Sequence, residues 1–118
     1  MIIYTDANEE SETVCIHTLA GHTFSIFTNE NNIGINLKTA AGFDVLLDDK
    51  NKQLSLKTPK GQKIVADDNN STVTLDNAAG SKITLSKAET TIDAKVLNIN
   101  AEVKINGNTT GSGVLKYA

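Results

Sequence analysis

Two histidines, one cysteine and two aspartate pairs are the residues of this 118-residue chain whose types could do chemistry. His17 and His22 stand five apart, with neither a nearby cysteine nor a matched carboxylate to complete a metal site. They read as surface or turn histidines satisfied by solvent. Only a threefold axis, gathering three copies of one imidazole, would turn either into a metal ring. Asp48-Asp49 and Asp67-Asp68 recur at the starts of polar turns, where calcium is the functional reading. The glycine-rich nonapeptide of calcium-binding solenoids is missing, so turn capping and solubility are the preferred reading. Cys15, between Val14 and Ile16, reads as a small half-buried strand residue that closes no internal disulfide.

Other chemistries lack their parts. Serines and threonines abound, but no histidine is placed by a nucleophile motif. Glycan cleavage needs paired carboxylates in a cleft, usually with aromatic platforms, and the chain has five aromatics and no tryptophan. Gly111-Ser-Gly113 has neither the strand-to-helix junction nor the lysine of a phosphate loop. A net charge of −3 argues against nucleic acid. No apolar run approaches the roughly 20 residues that cross a bilayer, and no signal-peptide pattern opens the chain. The expectation is a protein that is not an enzyme, with no catalytic residue, cofactor or metal.

What the chain does have is a repeat. Gly21, Gly42, Gly61 and Gly80 are separated by 21, 19 and 19 residues. Each follows a triplet led by Thr18, Thr39, Thr58 or Asn77. Three residues after each glycine an alternating apolar pair begins: Phe24/Ile26, Val45/Leu47, Ile64/Ala66, Ile83/Leu85. Seven residues beyond each pair a second starts: Ile33/Ile35, Leu54/Leu56, Val73/Leu75, Ile92/Ala94. The longer first spacing is read as an extra dipeptide around Leu37. A fixed period of this size means stacked structural units.

The units are extended backbone. Thr, Ile and Val are abundant, Asn-rich and Asp-rich turns punctuate them, and no window has a helical period. The turns fall at 28–32, 48–52, 67–71 and 86–90, where Asn and Asp tolerate left-handed dihedrals. Val14 and Ile16 mark a first strand after an apolar start and the acidic stretch Asp6–Glu12. Beyond Ala94 the register changes: Leu97, Ile99, Ala101, Val103 and Ile105 alternate with polar residues until Gly107. The expected divisions are an N-terminal strand and acidic loop (1–17), a four-repeat prism (18–94), a narrower needle (95–108) and a C-terminal tail or tip (109–118).

Each strand owns one apolar face, and no helical layer exists to cover it. At about 1.5–3 kcal/mol per fully buried aliphatic side chain, that face must find shelter. Two arrangements provide it. One chain could coil as a single-chain β-solenoid, serving as an adhesin or glycan-binding module. Alternatively, three chains pack their apolar faces against a common axis as a triangular prism built from the roughly 19-residue strand-turn-strand units. The trimer is preferred, because small cores need partners. The axis would then be packed by the eight pairs named above and by Leu97 to Ile105, with Lys82, Thr84, Asp93, Lys95, Asn98 and Lys104 wet.

The runs Thr39-Ala-Ala-Gly-Phe-Asp-Val-Leu-Leu-Asp-Asp49 and Thr58-Pro-Lys-Gly-Gln-Lys-Ile-Val-Ala-Asp-Asp68 resemble the spike region of valine–glycine repeat proteins and of contractile-phage baseplate spikes. Leu97-Asn-Ile-Asn-Ala-Glu-Val-Lys-Ile-Asn-Gly107 is similar to the needle that follows in that family. The likeness covers about Thr18 to Asn108. It implies a homotrimeric, intertwined triangular β-helix (a β-prism) beneath the hub of a tail tube, driven through an envelope when a sheath contracts. It further implies hub or baseplate partners, transient contact with the target envelope, and assembly in the producing cell's cytoplasm into a phage tail, type VI secretion or related particle. Family tips are sometimes closed by a histidine-x-histidine iron site or a separate cap protein. No such motif stands near the C-terminus here, which speaks against a self-made metal tip and keeps a separate cap protein open as a partner.

Overall fold

The computed structural model describes residues 2–7, 12–28 and 33–109, with side chains from Val14 onward. The described backbone forms strands and turns without a helix, so the all-β expectation holds. Ten strands follow: β1 (Ile2–Ala7), β2 (Glu12–His17), β3 (Thr23–Thr28), β4 (Ile33–Lys38), β5 (Asp44–Asp48), β6 (Gln53–Lys57), β7 (Lys63–Asp67), β8 (Thr72–Asp76), β9 (Lys82–Leu85) and β10 (Thr90–Asp93). They make one antiparallel meander in chain order, and each strand contacts only its neighbours in the sheet. A single-chain solenoid would stack successive rungs in parallel; every ladder here is antiparallel. Strand length tapers from six residues in β1–β4 to five in β5–β8 and four in β9–β10.

Two loop types alternate along the two long edges. On one edge, the five-residue loops start at the threonine or asparagine that leads each repeat. Thr39 N–H donates to Phe43 O at 2.9 Å, Gly42 N–H to Thr39 O at 3.0 Å, and Phe43 N–H to Thr39 Oγ1 at 3.1 Å. The 18–22 loop repeats all three bonds, and Asn77 Oδ1 replaces the hydroxyl in the last loop by accepting Ser81 N–H at 3.0 Å. The lead residue therefore needs a short side-chain oxygen. The glycine sits at φ 93–107° in all four loops, a region that costs other residues. These loops also stack. A Cβ on Gly21 would meet Ala40 at 3.2 Å, one on Gly42 would meet Pro59 at 3.4 Å, and one on Gly61 would meet Ala78 at 3.5 Å.

On the other edge, four-residue loops close the hairpins Asp48↔Gln53 and Asp67↔Thr72. Asp48 caps its own loop, accepting from Asn51 N–H at 3.0 Å and from the Asn51 side-chain amide at 2.9 Å; Asp67 does the same with Asn70. This bears out turn capping for the first aspartate of each pair. The left-handed residues, however, are Lys52 (φ 56°) and Ser71 (φ 54°), not the asparagines or aspartates. Once Asp has capped the turn from its first position, the αL residue that returns the chain to the strand falls on whatever follows. The turn expected at 28–32 lies largely outside the described residues.

The ladder revises how the repeat is aligned. Ile26 pairs with Ile35, not Ile33, and Leu85 pairs with Thr90, not Ile92. The seven-residue spacing holds in all four copies but joins cross-strand partners only at Leu47↔Leu54 and Ala66↔Val73. The longer first spacing comes from β3 and β4 being one residue longer each, and Leu37 is a regular member opposite Phe24 and Val45. Ala94 lies beyond the end of β10. Residues 94–109 leave the sheet and pair with no strand among the described residues. The 110–118 part of the expected tail lies outside the described residues.

Gly34 marks the tightest backbone approach, since a Cβ there would land on the carbonyl oxygen of Leu47 in the neighbouring strand. Gly34→Ala is expected to cost about 1–3 kcal/mol, the scale of overpacking that no side chain can relieve. Gly107→Ala, where nothing lies within 4 Å, is the matched control, and thermal melting of both variants checks it.

Candidate assembly face

Because side chains alternate across a pleated strand, register decides what lines each face. Two unbroken apolar rows cross the sheet on one face. The first runs Val14, Ile26, Ile35, Leu47, Leu54, Ala66, Val73 and Leu85, and ends at Thr90. The second runs Ile16, Phe24, Leu37, Val45, Leu56, Ile64, Leu75, Ile83 and Ile92. Of the expected packing residues between Phe24 and Ile92, all but Ile33 fall on these rows. Ile33 shares their face one step outside, opposite Thr28. Ala94, Leu97, Ile99, Ala101, Val103 and Ile105 follow the last strand and are exposed.

Three row members were not anticipated by the repeat: Val14, Ile16 and Leu37. A signal for them exists. Counting back from each glycine, five residues gives Ile16, Leu37, Leu56 and Leu75, and seven gives Val14, Ile35, Leu54 and Val73. The constant unit is strand, five-residue loop, strand, because the threonine–glycine bonds set that loop's length. The hairpins on the other edge vary in strand length.

Burial in the single chain is inverted. The buried residues among those described are Cys15, Ser25 and Asn36, all on the polar face. On the apolar face Leu37, Leu47, Leu54, Leu56, Ile64, Val73, Leu75, Ile83, Leu85 and Ile92 are 36–49% exposed. The face is creased by grooves, the larger about 540 Å³ and lined by Phe43, Val45, Leu56, Ile64, Leu75 and Ile83. A second of about 460 Å³ follows Leu47, Leu54, Ala66 and Val73. Exposed apolar surface this continuous marks an interaction site.

The polar face holds the groups that could have been reactive. Cys15 Sγ lies 3.2 Å from His17 Nε2 and 3.2 Å from Ser25 Oγ. The expectation that His17 has no cysteine near it is therefore wrong: residues two apart on a strand share a face, and the thiol reaches the ring. Cys15 is buried rather than half-buried, at 6% exposure, so no substrate reaches the thiol. His22 has a protein partner as well, accepting Ala40 N–H at Nδ1 at 3.1 Å. Asn36 donates its amide to Asp44 Oδ1 and to Val45 O at 3.0 Å, and Lys38 pairs with Asp44 at 3.8 Å. Among the described residues no three His, Cys, Asp or Glu side chains converge as metal ligands. No helix is long and apolar enough to cross a membrane.

A one-layer sheet with an uncovered apolar face, and no reactive centre among its described residues, defines a structural β-protein built to associate. Residues 32–110 match the family model of the phage baseplate V C-terminal trimerisation domain, and the chain belongs to that family. Its role is structural, within the baseplate spike. No curated protein matches the chain.

The aspartate caps make the hairpin edge sensitive to acid. The Asn51 backbone N–H, then its side-chain amide, holds the Asp48 carboxyl below its ordinary 3.8; for Asp67 the Asn70 side-chain amide leads, followed by Gln53. Carboxyls depressed in the folded state contribute stability that is fully present above 3.8 and lost as pH falls through the lower folded value. Asp48→Asn/Asp67→Asn keeps an accepting oxygen without the titration, so its melting temperature should fall less than wild type's between pH 4.5 and 2.5. Parallel curves would remove the caps from the acid response.

Proposed function

We propose that three copies of this chain close their apolar faces on a common axis to form a triangular β-prism. The prism serves as the central spike of a contractile injection apparatus. The observation that carries this reading is the pair of apolar rows, one continuous from β2 to β9 and the other from β2 to β10, whose members are half-buried or exposed while the buried residues Cys15, Ser25 and Asn36 lie on the opposite face. In the closed prism the grooves between the rows fill with the same side chains of sister copies. The segment 94–109 takes its strand partners from those copies, with Leu97, Ile99, Ala101, Val103 and Ile105 continuing the axis below the sheet. Ladder hydrogen bonds and a dry centre make the object stiff. Stiffness and a tapering outline are what a body driven through an envelope needs, and the strand lengths already taper from six to four residues.

On this reading the partners are two sister chains, hub or baseplate proteins above, a separate cap protein below, and the target envelope in passing. The particle is assembled in the producing cell and released with the tail. The adhesin alternative requires a self-sufficient single chain, and this one leaves its own apolar face open.

Light scattering should give about three times the 12.6 kDa chain mass. A well-folded monomer at micromolar concentration would sink the reading. Ile83 lies between Leu75 and Ile92 in one row, and Val73 lies between Ala66 and Leu85 in the other. Ile83→Asp or Val73→Asp would bring three carboxylates together unpaired near the axis. Either should abolish the trimer; a trimer of unchanged melting temperature would remove these residues from the centre.

A further inference from the structure

A meander places consecutive loops on opposite edges, and charge is distributed unevenly between them. Of the six loops that join β4 through β10, counted with the strand-end residues that bound them, four balance their own charge. The two exceptions are adjacent in the chain. The 57–63 loop carries Lys57, Lys60 and Lys63 and no acid; the 67–72 loop carries Asp67 and Asp68 and no base. Lys57 and Lys63 face each other directly across the ladder, a like-charge pair that weakens a sheet. The ion pairs among the described residues are Lys38–Asp44 and Lys104–Glu102, so neither loop is neutralised by a close partner within the chain.

Nor can the two loops neutralise each other in one chain. The five-residue strand β7 separates them by roughly 16 Å, beyond the ~8 Å screening length of physiological salt. Along the sheet they differ by a single strand step of about 4.8 Å. In a closed ring of three, each interface joins one edge of a copy to the opposite edge of the next. The lysine loop of one copy then stands beside the aspartate loop of its neighbour, offset by less than the reach of a lysine side chain.

We propose that these two loops form an interchain electrostatic lock, repeated three times around the spike, in which Lys57, Lys60 and Lys63 of each copy engage Asp67 and Asp68 of the next. The lock rests on the trimer reading and adds to it. Two apolar rows bury equally well if a neighbouring copy slips by a hairpin, whereas the charged loops meet at one level only. The partner of this surface is therefore a second copy of the same chain, in one axial register.

The test uses the full chain and three variants. Lys57→Glu/Lys60→Glu/Lys63→Glu reverses one loop. Asp67→Asn/Asp68→Lys/Asn69→Lys reverses the other, with asparagine placed at position 67 so that the capping position keeps an accepting oxygen. The third variant combines both sets. In 50 mM NaCl each reversal alone should lower the melting temperature of the trimer by roughly 5–10 °C, and the combination should recover at least half of the loss. In 1 M NaCl the differences should shrink toward zero. Losses that simply add in the combined variant would overturn the lock. So would a wild-type trimer whose melting temperature is unchanged from 50 mM to 1 M NaCl, a readout that survives if a reversed chain fails to fold. A wild-type chain that is monomeric throughout removes the trimer reading as well, so the two failures are distinct.

Discussion

A single antiparallel sheet buries its backbone polarity in its own ladder but can do nothing for its apolar face. Helix layers, a second sheet or barrel closure are the usual remedies. None is present among the described residues, where strand touches only adjacent strand. The result is a chain whose hydrogen bonds are largely local and whose hydrophobic driving force is deferred to association. Everything notable about the molecule follows from that division. The polar face is finished within one chain, as Cys15, Ser25 and Asn36 show by their burial; the apolar face is not.

The two edges divide the labour of keeping the sheet in register. The threonine–glycine loops are built from fixed backbone bonds and stack glycine against the second residue of the next loop, so their length is constant. Of the hairpins opposite, two are capped by Asp48 and Asp67 and one is closed by Ser86 on Glu89 O, and they differ in how far the strands run before turning. Taper is produced on that second edge alone, one residue per strand at a time, without disturbing the spacing of the apolar rows about each glycine. A sheet with exposed edge strands risks pairing with the wrong chain; in this meander β2 to β9 are paired on both sides, which limits such pairing to β1 and β10.

Membership of the baseplate trimerisation family fits a chain lacking any accessible reactive group among its described residues. The one cluster with reactive chemistry, Cys15 with His17 and Ser25, is a packed polar contact beneath the surface rather than a site. The aspartate pairs divide similarly: Asp48 and Asp67 are turn caps, while Asp49 and Asp68 engage the ladder through their backbone N–H groups, bonding Ile33 O and Lys52 O.

Alternation with period two is a local property, and so the all-β class, the apolar face and most of its members were legible in the sequence. The four glycines with their leading Thr or Asn were legible too, because the bonds that require them close within five residues. Register across the hairpins was not. Whether Ile33 or Leu37 joins the row, and whether Ile92 pairs with Leu85 or Ile83, depends on how many ladder bonds form before the turn. That is a balance between two strands which neither encodes alone. The meeting of Cys15 with His17, and the placing of the lysine loop 57–63 and the aspartate loop 67–72 on opposite edges, likewise appear only once the chain is folded back on itself. Residue type determined which side chains seek shelter; the hydrogen-bonded ladder decided where each of them stands when it does.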